Sequence, residues 1–164
     1  MDIEATLTEW EDGCDLVISA DAPVDRATVW NYVTDPQQAT HWFAPWSRDA
    51  DILTFDFDGE ALTGEIIGCE DQRFFLLELP FGRVGLSVSG SGGEQHLSTA
   101  QGATRITVTQ TFATYEEAAH AVPEIGSVWD THLRALLTEL GVKNVDIDED
   151  SQARKYANLT VEDL

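Results

Sequence analysis

The chain has 164 residues, enough for one domain with its own core, and no Pro/Gly/Ser-rich linker divides it in two. Its 30 Asp and Glu outnumber 9 Lys and Arg, for a formal charge of −21, which repels phosphate backbones and anionic membrane surfaces and argues against a nucleic-acid partner. The opening MDIEATLTEW has no basic start or apolar core, and no window approaches the ~20 apolar residues of a membrane span, so a cytoplasmic protein is expected.

Ile3 to Trp10 and Cys14 to Ala20 favour strand, and Glu11-Asp12-Gly13 between them is turn chemistry, which predicts an opening hairpin. Asp21-Ala22-Pro23 then stops the strand and starts a helix with Val29, Trp30 and Val33 on its apolar face. Thr34-Asp35-Pro36 breaks that helix and caps a second, brief one, followed by the aromatic cluster His41-Trp42-Phe43-Ala44-Pro45-Trp46. From Ile52 to Phe57 apolar and polar residues alternate, placing Leu53, Phe55 and Phe57 on one face. Glu60 to Gly68, Arg73 to Leu79, Arg83 to Ser89 and Glu94 to Thr99 follow as strands with short links, the pattern of an antiparallel meander. Thr104 to Phe112 closes the series, with Ile106, Val108, Gln110 and Phe112 inward and four threonines outward.

Thr114 with Glu117 forms a capping box for a short helix. From Pro123 to Leu140 the apolar residues repeat at helical spacing. Ile125, Trp129, Leu133, Leu136, Leu137 and Leu140 share one arc, and Ser127, Asp130, Thr131, Arg134 and Thr138 lie opposite as a polar face. Pro123 suits a first turn and Gly141 a C-terminal stop. The stretch after Val142 is acidic, with a helix expected over Gln152 to Leu159. Cys14 and Cys69 are too few for a disulfide scaffold and lack metal-ligand spacing, so they read as buried or half-buried free thiols.

Ala22-Pro23, Val29-Trp30, Thr34-Asp35-Pro36, Trp42 and Trp46, in that order, resemble the signature of the Aha1-type (activator of Hsp90 ATPase C-terminal-like) branch of the START/Bet v 1 (SRPBCC) superfamily. Thr104 to Thr109 is similar to that family's last strand, and Trp129 with Leu133, Leu136 and Leu140 to its closing helix, so the resemblance covers roughly residues 14 to 141. It implies an α+β helix-grip fold: a curved antiparallel sheet of about seven strands around a long C-terminal helix, with two short helices after the first strand and an apolar cavity in between. Residues 1–142 are then the domain and residues 143–164 an acidic tail. The family often places a Gly-Trp pair at the start of that helix, whereas here Ser127 and Val128 separate Gly126 from Trp129.

On this frame the expected cavity lies between the Trp129 to Leu140 face and Phe55, Phe57, Val108 and Gln110, with Trp42 and Trp46 near its mouth and Leu133 beside it. The aromatic residues either line a pocket for a greasy ligand or simply fill the core. His132, one turn after Trp129, is either a polar cavity contact or a histidine hydrogen-bonded at the core margin. Gln110 either orients a ligand or satisfies a buried neighbour, and Glu78 is better placed outward in solvent than inward as an acid or base. His41, His96 and His120 have no ligand at metal spacing, and phosphate loops and nucleophile elbows are missing, so no metal, cofactor or catalytic residue is expected. The leading expectation is non-enzymatic binding of a small hydrophobic molecule by a monomer or homodimer. The alternatives are a co-chaperone for an Hsp90-type partner and, on fold analogy alone, a cyclase or hydratase-like enzyme using the same cavity.

Overall fold

Two strand-forming runs, turning at Glu11-Asp12, open the chain as a hairpin: β1 (Glu4–Trp10) pairs with β2 (Gly13–Ala22), Trp10 opposite Gly13. A computed structural model describes residues 3–57, 59–80, 82–90, 104–143 and 145–159. The chain leaves the sheet for α1 (Arg26–Thr34) and α2 (Pro36–Ala39), and an aspartate starts each. Asp25 accepts from the Thr28 amide at 2.8 Å and Asp35 from the Gln37 amide at 2.9 Å, satisfying N–H groups that a helix start leaves open. The meander follows as β3 (Trp46–Asp49), β4 (Ile52–Phe57), β5 (Glu60–Glu70), β6 (Phe74–Leu79), β7 (Gly82–Gly90) and β8 (Thr104–Phe112).

These strands form one curved antiparallel sheet in the order β1-β2-β8-β7-β6-β5-β4-β3, gripping a long helix: the fold is α+β, of the helix-grip type. Eight strands stand among the described residues, seven of them read from the sequence pattern, where the resemblance implied about seven in all. The addition is β3, whose Trp-Ser-Arg-Asp sequence carries no apolar alternation; the strand expected over Glu94 to Thr99 lies outside the described residues. On β8, Ile106, Val108, Gln110 and Phe112 are buried while Thr107, Thr109 and Thr111 sit half-buried on the other face. Thr104 corrects the expectation of four outward threonines. It has the inward parity, is buried, and donates to the Val24 carbonyl at 2.7 Å.

The short and long helices expected on either side of Pro123 are one, α3 (Tyr115–Glu139), capped by Thr114 Oγ1, which accepts from the Glu117 amide at 3.1 Å. An interior proline forfeits a backbone hydrogen bond and crowds the preceding turn, at roughly 3 kcal/mol. The unbroken row Ala118, Val122, Trp129, Leu133, Leu136 and Leu137, all buried, offsets that cost and carries the helix through. Gly141, at φ +88°, adopts the left-handed conformation that ends it.

The expected polar face of this helix is also corrected: Asp130 is 0% exposed and Arg134 8%. The cover is α4 (Glu149–Ala157), which starts three residues before the helix expected at Gln152. Its Tyr156 lies directly on Gly126, where a Cβ would stand 2.3 Å from Tyr156 Cδ1, so only glycine admits this approach. The Asp130 carboxylate accepts from Tyr156 Oη and Arg134 Nε at 2.6 Å each, from Gln152 Nε2 at 2.8 Å, and pairs with Lys155 Nζ at 3.3 Å. Arg134 also donates to the Val145 carbonyl and Lys155 to that of Ile3, which ties α4 to the start of the chain. Burial alone would raise the pKa of Asp130, but the hydrogen bonds from Tyr156, Arg134 and Gln152 and the Arg134 charge prevail and hold it below the ordinary aspartate value. Burial, and then the bond to Asp130, push the Tyr156 phenol up.

Candidate functional site

Strand parity brings one apolar row after another onto the inner face of the sheet. Phe55 stands opposite Leu62, Ile66 opposite Leu77, Phe75 opposite Leu86, and Leu86 in turn opposite Val108. Side chains of α1 and α2 (Val33, Thr34, Ala39) and Trp129 of α3 face this row without meeting it everywhere, leaving a cavity of about 130 Å³. Its wall is apolar apart from Thr34, Arg48 and Cys69. The Thr34 hydroxyl is already committed, donating to the Trp30 carbonyl at 2.7 Å.

Two irregularities place the other polar groups. β5 and β6 change register between Ile66 and Gly68, a bulge that reverses the alternation beyond it and sets Cys69 opposite Phe75, on the cavity side. Cys69 is exposed there, at the rim, which corrects the expectation of a buried or half-buried thiol; Cys14 is buried as expected. On the edge strand β3, Trp46 pairs with Phe55 and Arg48 with Leu53, so Arg48 shares the inner face with Trp46 while its side chain remains 55% exposed.

Phe43 anchors the aromatic end of the site. Its ring stacks on Trp129 at 5.7 Å and 13°, and meets Phe55, Phe57 and His132 edge-on at 5.4, 5.3 and 4.9 Å. Of the residues expected at the site, Trp42, Trp46, Phe55, Val108 and Trp129 stand on the cavity wall. Phe57 packs against Phe43 instead, and Leu133 is buried in the contact between helix and sheet. Gln110 is buried and its Oε1 accepts from Trp129 Nε1 at 2.7 Å, so it fixes the indole rather than facing the cavity. His132 Nδ1 donates to the Trp42 carbonyl at 3.0 Å, the core-margin arrangement. Glu78 is outward and paired with Arg83 at 3.1 Å. Phe43, Arg48 and Cys69 are among the rim and wall residues that the sequence pattern does not mark. Among the described residues no group of three or more His, Cys, Asp or Glu converges as a metal site.

Burial of His132 lowers its pKa, against a smaller opposing effect of the bond to Trp42. A histidine held neutral on folding takes up its proton more readily when unfolded, so stability is complete above an unfolded pKa near ~6.5 and declines as pH falls towards the lower folded value. Denaturant titrations from pH 7.5 to 5.5 should show wild type losing stability relative to His132→Gln over this window. Parallel curves for the two proteins would contradict the assignment.

No protein-family model matches the chain, and no curated protein matches it significantly. Solved structures do share its fold. CalU16 from Micromonospora echinospora superposes with a TM-score of 0.73 at 18% identity, covering 97% of this chain and 98% of its own. EF2215 from Enterococcus faecalis, a conserved protein of unknown function, gives 0.70 at 11% identity over 93% and 88% of the two chains. DynU16, a protein of the dynemicin biosynthetic locus, gives 0.64 at 22% identity over 81% of this chain and 48% of its own. At such identities the likeness speaks for the shared helix-grip fold alone.

Proposed function

We propose that the protein binds a small, mostly apolar molecule, without catalysing its conversion, in the cavity between the sheet, the two short helices and Trp129. The observation that carries this reading is an apolar enclosure of about 130 Å³ that reaches the surface beside two exposed residues, Arg48 and Cys69. An engineered apolar cavity of about 150 Å³ stays dry and admits benzene, so this volume suits a body of about one ring. The groups a cyclase or hydratase would need are committed elsewhere: Glu78 faces solvent, Gln110 holds Trp129 and His132 holds the Trp42 carbonyl. The occurrence of one fold neighbour in a biosynthetic locus is consistent with a small-molecule ligand.

Cys69 supplies the test. Its thiol should react with Ellman's reagent, while Cys14, 0% exposed and with its thiol pKa pushed up by burial, should stay silent in the native state. Toluene should slow the Cys69 reaction in a saturable way and raise the melting temperature, since a ligand that binds only the folded state stabilises it. If toluene neither protects Cys69 nor shifts melting, the cavity reading fails. An Hsp90-type ATPase stimulated by this protein, with no influence of toluene, would favour the surface co-chaperone reading in its place.

A further inference from the structure

The cavity wall has a charge of one sign. Arg48 is its one ionisable cation, and no carboxylate lines it among the described residues, in a chain where Asp and Glu outnumber Lys and Arg by 30 to 9. The guanidinium is also lightly engaged. Its Nε donates to the Ala50 carbonyl at 2.7 Å, which fixes the side chain. Its Nη2 lies 3.9 Å from Asp51, whereas the other ion pairs among the described residues close to between 2.6 and 3.3 Å. With Nε spent, the two Nη groups remain as an end-on fork, the geometry that receives the two oxygens of a carboxylate. The Ala50 backbone that anchors this arrangement sits at φ 54°, a left-handed conformation that alanine adopts only at some cost.

From this we infer that the ligand is an amphipathic monoanion: an apolar body of about one ring in the cavity, with a single carboxylate at the rim on Arg48. The inference rests on the cavity reading above and adds to it the head group. The overall charge of −21 does not forbid such a ligand, because at physiological salt charges beyond ~8 Å are largely screened, and within that range Asp51 holds Arg48 only loosely, at 3.9 Å. A cationic ligand would instead meet Arg48 with no wall carboxylate to offset it. The competing role for Arg48 is that of a guard: an inward-pointing charge on an edge strand discourages pairing with another sheet, and β3 is an edge strand.

Isothermal titration of 3-phenylpropanoate and its neutral amide, at pH 7 and physiological salt, tests the head group with one body. Wild type should prefer the acid by about tenfold, the scale of one charge-assisted hydrogen-bonding contact. Arg48→Gln should abolish that preference by weakening the acid and leaving the amide unchanged, and Arg48→Lys should keep part of it. Equal affinities in wild type overturn the inference, and this arm stands even if Arg48→Gln does not fold. Self-association of Arg48→Gln with the acid preference intact overturns it too, in favour of the edge guard. Toluene protection of Cys69 without any acid preference removes the head group and leaves the cavity reading standing; absence of the protection and of the melting shift as well removes both.

Discussion

Asp130→Ala is expected to cost about 3–5 kcal/mol of folding stability, the range for breaking a buried ion pair by removing one partner. The substitution leaves Arg134, only 8% exposed, without its counter-charge, and strips Tyr156, Gln152 and Lys155 of their shared acceptor in the same step. For a chain of this size that is roughly 6 to 20 °C of melting temperature. The pH dependence has a definite sign. The folded pKa of Asp130 lies below its ordinary value, so the stability it contributes is complete above the unfolded pKa near ~3.9 and is lost as pH falls through the folded value. Asp130→Asn should therefore remove part of the acid-induced loss of stability seen in wild type. Denaturant unfolding at pH 7 that matches wild type would show that the carboxylate does no more than offset its own burial.

Trp129→Ala is expected to cost a similar ~3–5 kcal/mol, for a different reason. It enlarges a cavity that already exists, removes the stacked partner of Phe43, and leaves the Gln110 amide oxygen buried without a donor. Trp129→Phe separates these contributions. It keeps an aromatic ring against Phe43 but not the indole N–H, so it should cost about 1–3 kcal/mol, the penalty of one unsatisfied buried acceptor, plus a modest loss of packing. Thermal unfolding of the two variants beside wild type checks the ordering, and a Trp129→Ala protein as stable as wild type would deny this residue its place in the core.

Which parts of this architecture were legible beforehand follows from how far each depends on local pattern. The alternation in Thr104 to Phe112 shows which residues face inward because a strand reads with period two, and Val108 and Gln110 are buried accordingly. The run Phe74 to Leu79 is apolar on both faces, so parity was silent there, and the contributions of Phe75, Leu77 and Leu79 to the cavity wall went unseen. Helical periodicity finds the buried arc of α3 but cannot report that a second element will cover the other face. Asp130 and Arg134 therefore looked like solvated residues, whereas α4 and the Val145 stretch before it cover them. Cys69 depends on a bulge, and no local pattern marks the residue at which a strand slips by one. Arg48 was the recoverable omission: Trp46 was expected at the mouth, and a strand through it would have placed Arg48 on the same face.

The order in which the elements leave the ribosome turns the grip into a problem of timing. Every strand of the sheet is synthesised before α3, so the concave face, with Leu16, Ile18, Leu86, Ile106 and Val108 upon it, exists for a while without the helix that fills it. At about 5–20 residues per second, the interval between finishing β8 and finishing α3 is on the order of 1 to 5 s. The last lock arrives later still, when Tyr156 settles on Gly126 and Lys155 reaches back to the Ile3 carbonyl. Closure of the fold thus waits until α3 and α4 have been translated, and stalled or truncated products that lack α3 present an uncovered greasy trough to whatever surrounds them.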